Sequence, residues 1–150
     1  MKIAPALLLV AAALTASCDH FGGIDAYQPL VALPDTTCIP RALSSVDGVS
    51  RVQYHRTEWP TSPFAITQGA SETTVAETWI YQVGRLKPRV QIYNAGNSFS
   101  FNNGIGLTAG SVSDEQIAAY RPLIERVNRH LASECGLNLS GIDIREIRQP

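Results

Sequence analysis

The chain has 150 residues, and its 12 lysines and arginines against 13 aspartates and glutamates give a formal net charge of −1 at pH 7. This length suits a single domain. The near-balanced charge excludes the basic surface that binds nucleic acid, so no nucleic-acid partner is expected. Hydrophobic residues make up 45% of the chain, which excludes a wholly disordered protein and allows a buried core.

The first seventeen residues have the pattern of a secretory signal peptide. Lys2 supplies a positive charge, and the 14 residues from Ile3 to Ala16 are uncharged and rich in leucine and alanine. Such a segment is too short to cross a bilayer as a helix, which takes about 20 residues. It matches the apolar region of an export signal. The pattern predicts that residues 1–17 direct export and are then removed.

Small residues lead into the first cysteine, in the order Leu14-Thr15-Ala16-Ser17-Cys18. This stretch resembles the lipobox of bacterial lipoprotein signal peptides, although threonine stands where leucine is preferred. The resemblance implies cleavage before Cys18 and lipidation of its thiol, and two or three acyl chains anchor a protein stably. The alternative is an ordinary signal peptide that is cut nearby. No family resemblance extends beyond residue 18.

A lipidated Cys18 would place the domain in the bacterial cell envelope, anchored to a membrane and facing the periplasm or the exterior. Asp19 follows the cysteine directly. An aspartate there is similar to the signal that keeps some lipoproteins at the inner membrane. That rule varies between lineages, so both the inner and the outer membrane stay open.

The remaining cysteines predict one disulfide bond. Lipidation removes Cys18 from the thiol pool and leaves Cys38 and Cys135, which can pair in an oxidising compartment. Two buried free cysteines are the alternative. No metal site or cofactor is expected, because the chain has no Cys-x-x-Cys motif and no closely spaced pair of histidines.

The chain after the signal divides into a tether and a domain. Residues 18–35 contain two adjacent glycines and two prolines without a sustained hydrophobic period. They predict the lipidated cysteine followed by a flexible tether. Residues 36–150 then form a single globular domain. Its first element is a short helix with Pro40 in the first turn and Gly48 as the stop.

Strands and a long helix follow. Residues 49–59 have strand character, and residues 73–83 and 89–95 alternate around a turn, which predicts a hairpin. Residues 98–101 extend it. The clearest helix ends before Gly136, and a short edge strand follows it. One apolar stripe marks that helix: Ile117, Tyr120, Ile124, Val127 and Leu131.

These elements predict an α+β fold: a small antiparallel sheet of three to five strands, with two helices packed on one face. Cys38 opens the first predicted helix and Cys135 closes the last. A disulfide would therefore join two helix ends, as antiparallel helices on one sheet face would allow.

No catalytic motif stands out, so the protein is not predicted to be an enzyme. His55 and Glu58 project to opposite faces of their strand, because their spacing is odd. His130 lies beside two arginines and is interpreted as part of a solvated helix face. Four aromatic residues in the strands are interpreted as core, or as a binding surface where helices leave a sheet face uncovered. They are Trp59, Trp79, Tyr81 and Tyr93.

The sequence thus favours a lipid-anchored, non-enzymatic interaction module with a protein partner in the envelope. An accessory subunit or an inhibitor or immunity-type protein fits this description. The alternatives are a small envelope hydrolase that uses His55 or Glu77, and a carrier of a small ligand.

Overall fold

The computed structural model describes residues 22–105 and 114–148. Within them, six strands form one sheet in the order β2-β3-β4-β5-β1-β6, and every neighbouring pair is antiparallel. The elements in chain order are β1 (Gly22–Leu30), α1 (Ile39–Ser44), β2 (Val49–Pro60), α2 (Pro63–Thr67), β3 (Thr73–Val83), β4 (Arg89–Asn94), β5 (Phe99–Ile105), α3 (Asp114–Cys135) and β6 (Asp143–Arg148).

The predicted architecture is wrong. The sheet has six strands instead of three to five. Of the three helices in the described residues, α1 has 6 residues, α2 has 5 and α3 has 22. The protein is therefore a sheet-rich fold with one long helix, rather than two helices packed on a small sheet.

The main cause of this error is strand β1, which lies where a flexible tether was predicted. β1 pairs with β5 on one side and β6 on the other. Its glycines and proline are residue types depleted in strands, and they obscured the alternation. Ile24 and Ala26 are nonetheless fully buried beside Ile124 of α3. The folded domain therefore starts before residue 36, whereas the predicted signal peptide and Cys18 lie outside the described residues.

The core lies on one face of the sheet, beneath α1 and α3. Strand side chains alternate between faces, so each strand contributes every second residue to this core. The apolar stripe predicted for the last helix is confirmed at its buried positions in α3. The most deeply buried members of the main cluster include Ile39, Leu43, Trp79, Tyr81, Val90, Ile92, Phe101, Val127 and Leu131.

The predicted disulfide bond between Cys38 and Cys135 is confirmed. Cys38 directly precedes α1 and Cys135 is the last residue of α3, and their Cα atoms are 5.7 Å apart. The bond joins positions separated by 97 residues. It therefore holds the start of α1 against the end of α3 on the same face of the sheet.

A chain of buried polar side chains crosses the core. The Tyr81 hydroxyl donates to Oδ1 of Asn103 over 2.8 Å, and Nδ2 of Asn103 donates to Oδ1 of Asn128 over 2.7 Å. All three residues are buried. Burial raises the pKa of the Tyr81 hydroxyl above its usual value. This buried polar chain connects β3, β5 and α3 by hydrogen bonds within an otherwise apolar core.

Removing the disulfide should destabilise the domain strongly. We expect Cys38→Ser combined with Cys135→Ser to lower the free energy of unfolding by about 4–5 kcal/mol, because closing a loop of roughly 100 residues restricts the unfolded chain by that amount. Urea denaturation measures the change. Both the reference and the variant carry Cys18→Ser, so that a third thiol cannot exchange. An unchanged midpoint would contradict the expectation.

The buried hydroxyl of Tyr81 should make stability depend on alkaline pH. Below about pH 10 tyrosine is neutral in both folded and unfolded chains. Above it the unfolded chain ionises, whereas burial keeps Tyr81 neutral, so stability falls as pH rises. We expect a shallower fall in Tyr81→Phe, measured by urea denaturation between about pH 8 and 11. Tyr27→Phe, which removes a hydroxyl at an exposed position, is the matched control, and a fall as shallow in this variant as in Tyr81→Phe would contradict the expectation.

Candidate functional site

The four aromatic residues of the predicted binding surface do not form one surface. Trp79 and Tyr81 are 2% and 0% exposed and belong to the core beneath the helices. Trp59 and Tyr93 lie on the opposite face, where their rings meet edge to face with centroids 6.1 Å apart. The division follows from strand alternation, because positions 79 and 81 have the parity of the core face of β3.

We call the side of the sheet opposite α1 and α3 the open face. Its polar side chains are bonded to one another. Gln91 donates to Thr78 over 3.1 Å and accepts from Tyr93 over 2.9 Å, and Asn102 donates to Asp25. A polar, internally bonded face is typical of an antiparallel sheet with one solvated side. These contacts occupy polar side chains in the middle strands of the open face.

The two residues proposed for a hydrolase are not brought together. His55 is exposed on the open face, opposite Thr78 in the register, whereas Glu77 is on the core face. The Glu77 carboxylate accepts hydrogen bonds from Tyr54 at 2.9 Å and from Thr36 at 3.1 Å. Glu77 therefore has a structural role, holding the segment before α1 against β2 and β3.

A polar cleft opens instead between α1 and α3. It has a volume of about 330 Å³. On α3 the lining positions are 126, 129, 130 and 133. They share one side of the helix because positions 129, 130 and 133 follow position 126 by three, four and seven residues. The turn after α1 supplies the other wall. We define the polar cleft by its lining residues Ser45, Val46, Asp47, Arg126, Arg129, His130 and Ser133.

A serine and a histidine are in direct contact in the polar cleft. Oγ of Ser45 lies 2.7 Å from Nε2 of His130, and 2.8 Å from the carbonyl oxygen of Ala42. A hydroxyl has one proton to donate. When it goes to the carbonyl, the imidazole N–H donates to Oγ. When it goes to the imidazole, Ser45 has the arrangement of a base-assisted nucleophile.

The two arginines give the cleft a positive character. Nη2 of Arg126 donates to the backbone oxygen of Asp47 over 3.4 Å. The ion pairs found among the described residues involve neither Arg126 nor Arg129. With one aspartate against two arginines, the lining carries a formal charge of +1 when His130 is neutral. Guanidinium groups and hydroxyls together are suited to bind a carboxylate or a phosphate.

The sequence predicted that His130 and its neighbouring arginines form a solvated helix face, and it did not predict the contact between His130 and Ser45. The two residues are 85 positions apart, and no spacing rule connects them. The helical repeat of the basic residues was visible in the sequence. The wall that faces them appears only when α1 packs against α3.

Comparisons with known proteins add no assignment: no family model, curated protein or solved structure matches the chain. Within residues 22–105 and 114–148, no group of three His, Cys, Asp or Glu side chains is placed to hold a metal ion. In the same residues, no helix has the length and apolar character needed to span a membrane. The chemistry of the polar cleft is therefore the basis for a functional interpretation.

Proposed function

We propose that the protein is an exported, lipid-anchored binding protein of the bacterial envelope, which takes an acidic group of a partner protein into the polar cleft. The observation that carries this is the convergence of Arg126 and Arg129 with His130 and two serine hydroxyls. Two adjacent cations cost electrostatic energy unless an anion compensates them. Arginine binds carboxylates through two parallel hydrogen bonds, which adds geometric specificity to charge.

The anchor and the compartment rest on separate support. The pattern of residues 1–18 resembles a lipoprotein signal. The disulfide between Cys38 and Cys135 is of the kind that forms and persists in oxidising compartments outside the cytosol. Both features fit a domain that works in the envelope.

The contact between Ser45 and His130 supports a second candidate, a small hydrolase. At 2.7 Å the imidazole is close enough to accept the serine proton. Within the described residues, however, no hydrogen bond joins the Asp47 carboxylate to the imidazole, and none of the ion pairs found there places a carboxylate against His130. Binding of an anionic group accounts for the two arginines as well, and we prefer it.

The anchor predicts a specific mass for the mature protein. Protein extracted from membranes should begin at Cys18 and carry acyl chains, and its other two thiols should resist alkylation until reduction. Intact-mass spectrometry measures both properties. Cys18→Ala should abolish the added acyl mass. An unmodified amino terminus at another residue would contradict the lipid anchor.

Binding in the polar cleft should depend on its arginines. For an acetylated Asp-Glu-Asp peptide, we expect Arg126→Gln with Arg129→Gln to weaken binding at least about tenfold, since each charged hydrogen bond contributes roughly 1.5–3 kcal/mol. Isothermal titration calorimetry measures the affinity. The matched control is Arg51→Gln with Arg85→Gln, which removes the same charge at exposed positions. Equal affinity in the two double variants would refute the proposal.

The variant Ser45→Ala separates the two candidate functions. In a binding site that depends on arginine, Ser45→Ala should weaken peptide binding by at most about tenfold and by less than the arginine double variant does, because one neutral hydrogen bond contributes about 0.5–1.5 kcal/mol. A hydrolase should release nitrophenolate from p-nitrophenyl acetate and lose that activity in Ser45→Ala. Hydrolysis that disappears with Ser45, together with unchanged peptide binding in the arginine variants, would favour the second candidate.

A further inference from the structure

An apolar groove runs along the other flank of α3, between this helix and the segment that leads into β6. Its volume is about 470 Å³, within the range of about 300–1,000 Å³ that ligand pockets occupy. Only Arg129, on the exposed ridge of α3, lines both this groove and the polar cleft. We define the apolar groove by Glu125, Asn128, Arg129, Ala132, Leu137, Asn138, Leu139, Ser140, Ile142 and Ile144.

One buried polar atom beside the groove has no partner. Asn128 is 4% exposed, and its Nδ2 makes no hydrogen bond within the described residues. A buried donor without an acceptor costs about 1–3 kcal/mol. Native structures contain few such atoms, so each one needs a physical explanation.

The buried polar chain determines which end of the Asn128 amide lacks a hydrogen-bond partner. The Tyr81 hydroxyl donates to Oδ1 of Asn103, so Asn103 presents its NH₂ group to Asn128. Asn128 accepts this hydrogen bond with its Oδ1. Its own NH₂ group, with two N–H donors, is therefore turned away from this chain, on a residue that lines the apolar groove. What is missing at this position is a hydrogen-bond acceptor.

The rest of the lining indicates the kind of molecule that would supply this acceptor. Leu137, Leu139 and Ile142 offer an apolar surface. A single water is a poor substitute there, because buried waters usually make about three hydrogen bonds. The lining contains one glutamate, Glu125, and one arginine, Arg129, so the groove carries no formal net charge that would favour an ion.

We infer that the apolar groove binds a small neutral molecule with an apolar body and one carbonyl oxygen, such as an ester or an amide, and that Nδ2 of Asn128 donates to this oxygen. The apolar body packs on the leucine and isoleucine side chains. This site shares only Arg129 with the polar cleft and does not depend on the function proposed for the cleft.

A pair of fluorescent probes tests the inference. One is 6-propionyl-2-dimethylaminonaphthalene, a neutral aromatic ketone. The other is 2-dimethylaminonaphthalene, which has the same rings without the carbonyl. We expect the protein to bind the ketone with a blue-shifted emission, and at least about tenfold more tightly than the compound that cannot accept the hydrogen bond. Such a ratio corresponds to about 1.4 kcal/mol, within the range for one buried hydrogen bond.

Two variants assign this preference to Asn128. Asn128→Asp keeps the oxygen that accepts from Asn103 but removes the free NH₂ group, and it should abolish the preference for the ketone. Ala132→Phe fills the groove and should weaken the binding of both probes. This variant tests the location of the site even if the aspartate variant fails to fold. Tyr93→Phe removes a hydroxyl on the open face, away from both the buried chain and the groove, and should leave both affinities within twofold.

The outcomes are decisive in either direction. Three results would overturn the inference: no binding of the ketone, equal affinity for both probes, or an undiminished preference for the ketone in a folded Asn128→Asp variant. In each case the Asn128 amide would donate at most to a buried water. Arg126→Gln alone, at a position that lines the polar cleft and not the groove, should leave ketone binding unchanged. Failure at the groove is thereby distinguished from failure at the polar cleft.

Discussion

The structure depends on one constraint: a single sheet can bury only one of its faces against α1 and α3. Strand alternation assigns each residue to the covered face or the open face, and α1 and α3 together supply the cover. Both candidate sites consequently lie on the flanks of α3, where the helix meets a neighbouring segment. On one flank, α1 and its turn form the polar cleft. On the other, the approach to β6 forms the apolar groove.

Buried hydrogen bonds and the disulfide position α3 in complementary ways. Cys135 fastens the end of the helix to the start of α1, which sets the distance between the walls of the polar cleft. Asn128 is connected through Asn103 to Tyr81 in the middle of the sheet, which fixes the rotation of the helix about its axis. A helix held in translation and in rotation can present side chains on both flanks with constant geometry.

The sequence predicted the elements whose signals are local. The stripe of α3, the alternation of β3 and β4 and the pairing of Cys38 with Cys135 could all be inferred without a structure. β1 was missed because Gly22, Gly23 and Pro29 are depleted in strands, although Ile24 and Ala26 alternate as a strand requires. The contact between Ser45 and His130 lay beyond prediction, since only the packing of two helices creates it.

The register of the sheet has a consequence for where binding would take place. Val49 pairs with Val83, and Arg89 with Gly104, which pairs in turn with Asp25. The start of β1 and the turn that walls the polar cleft thus lie at the same end of the sheet, about 19 Å apart across four strand spacings. Cys18 precedes Gly22 by four residues, a reach of at most about 14 Å. With that thiol acylated as proposed, the cleft would lie within about 33 Å of the lipid anchor, and closeness to the bilayer would select its partner along with charge.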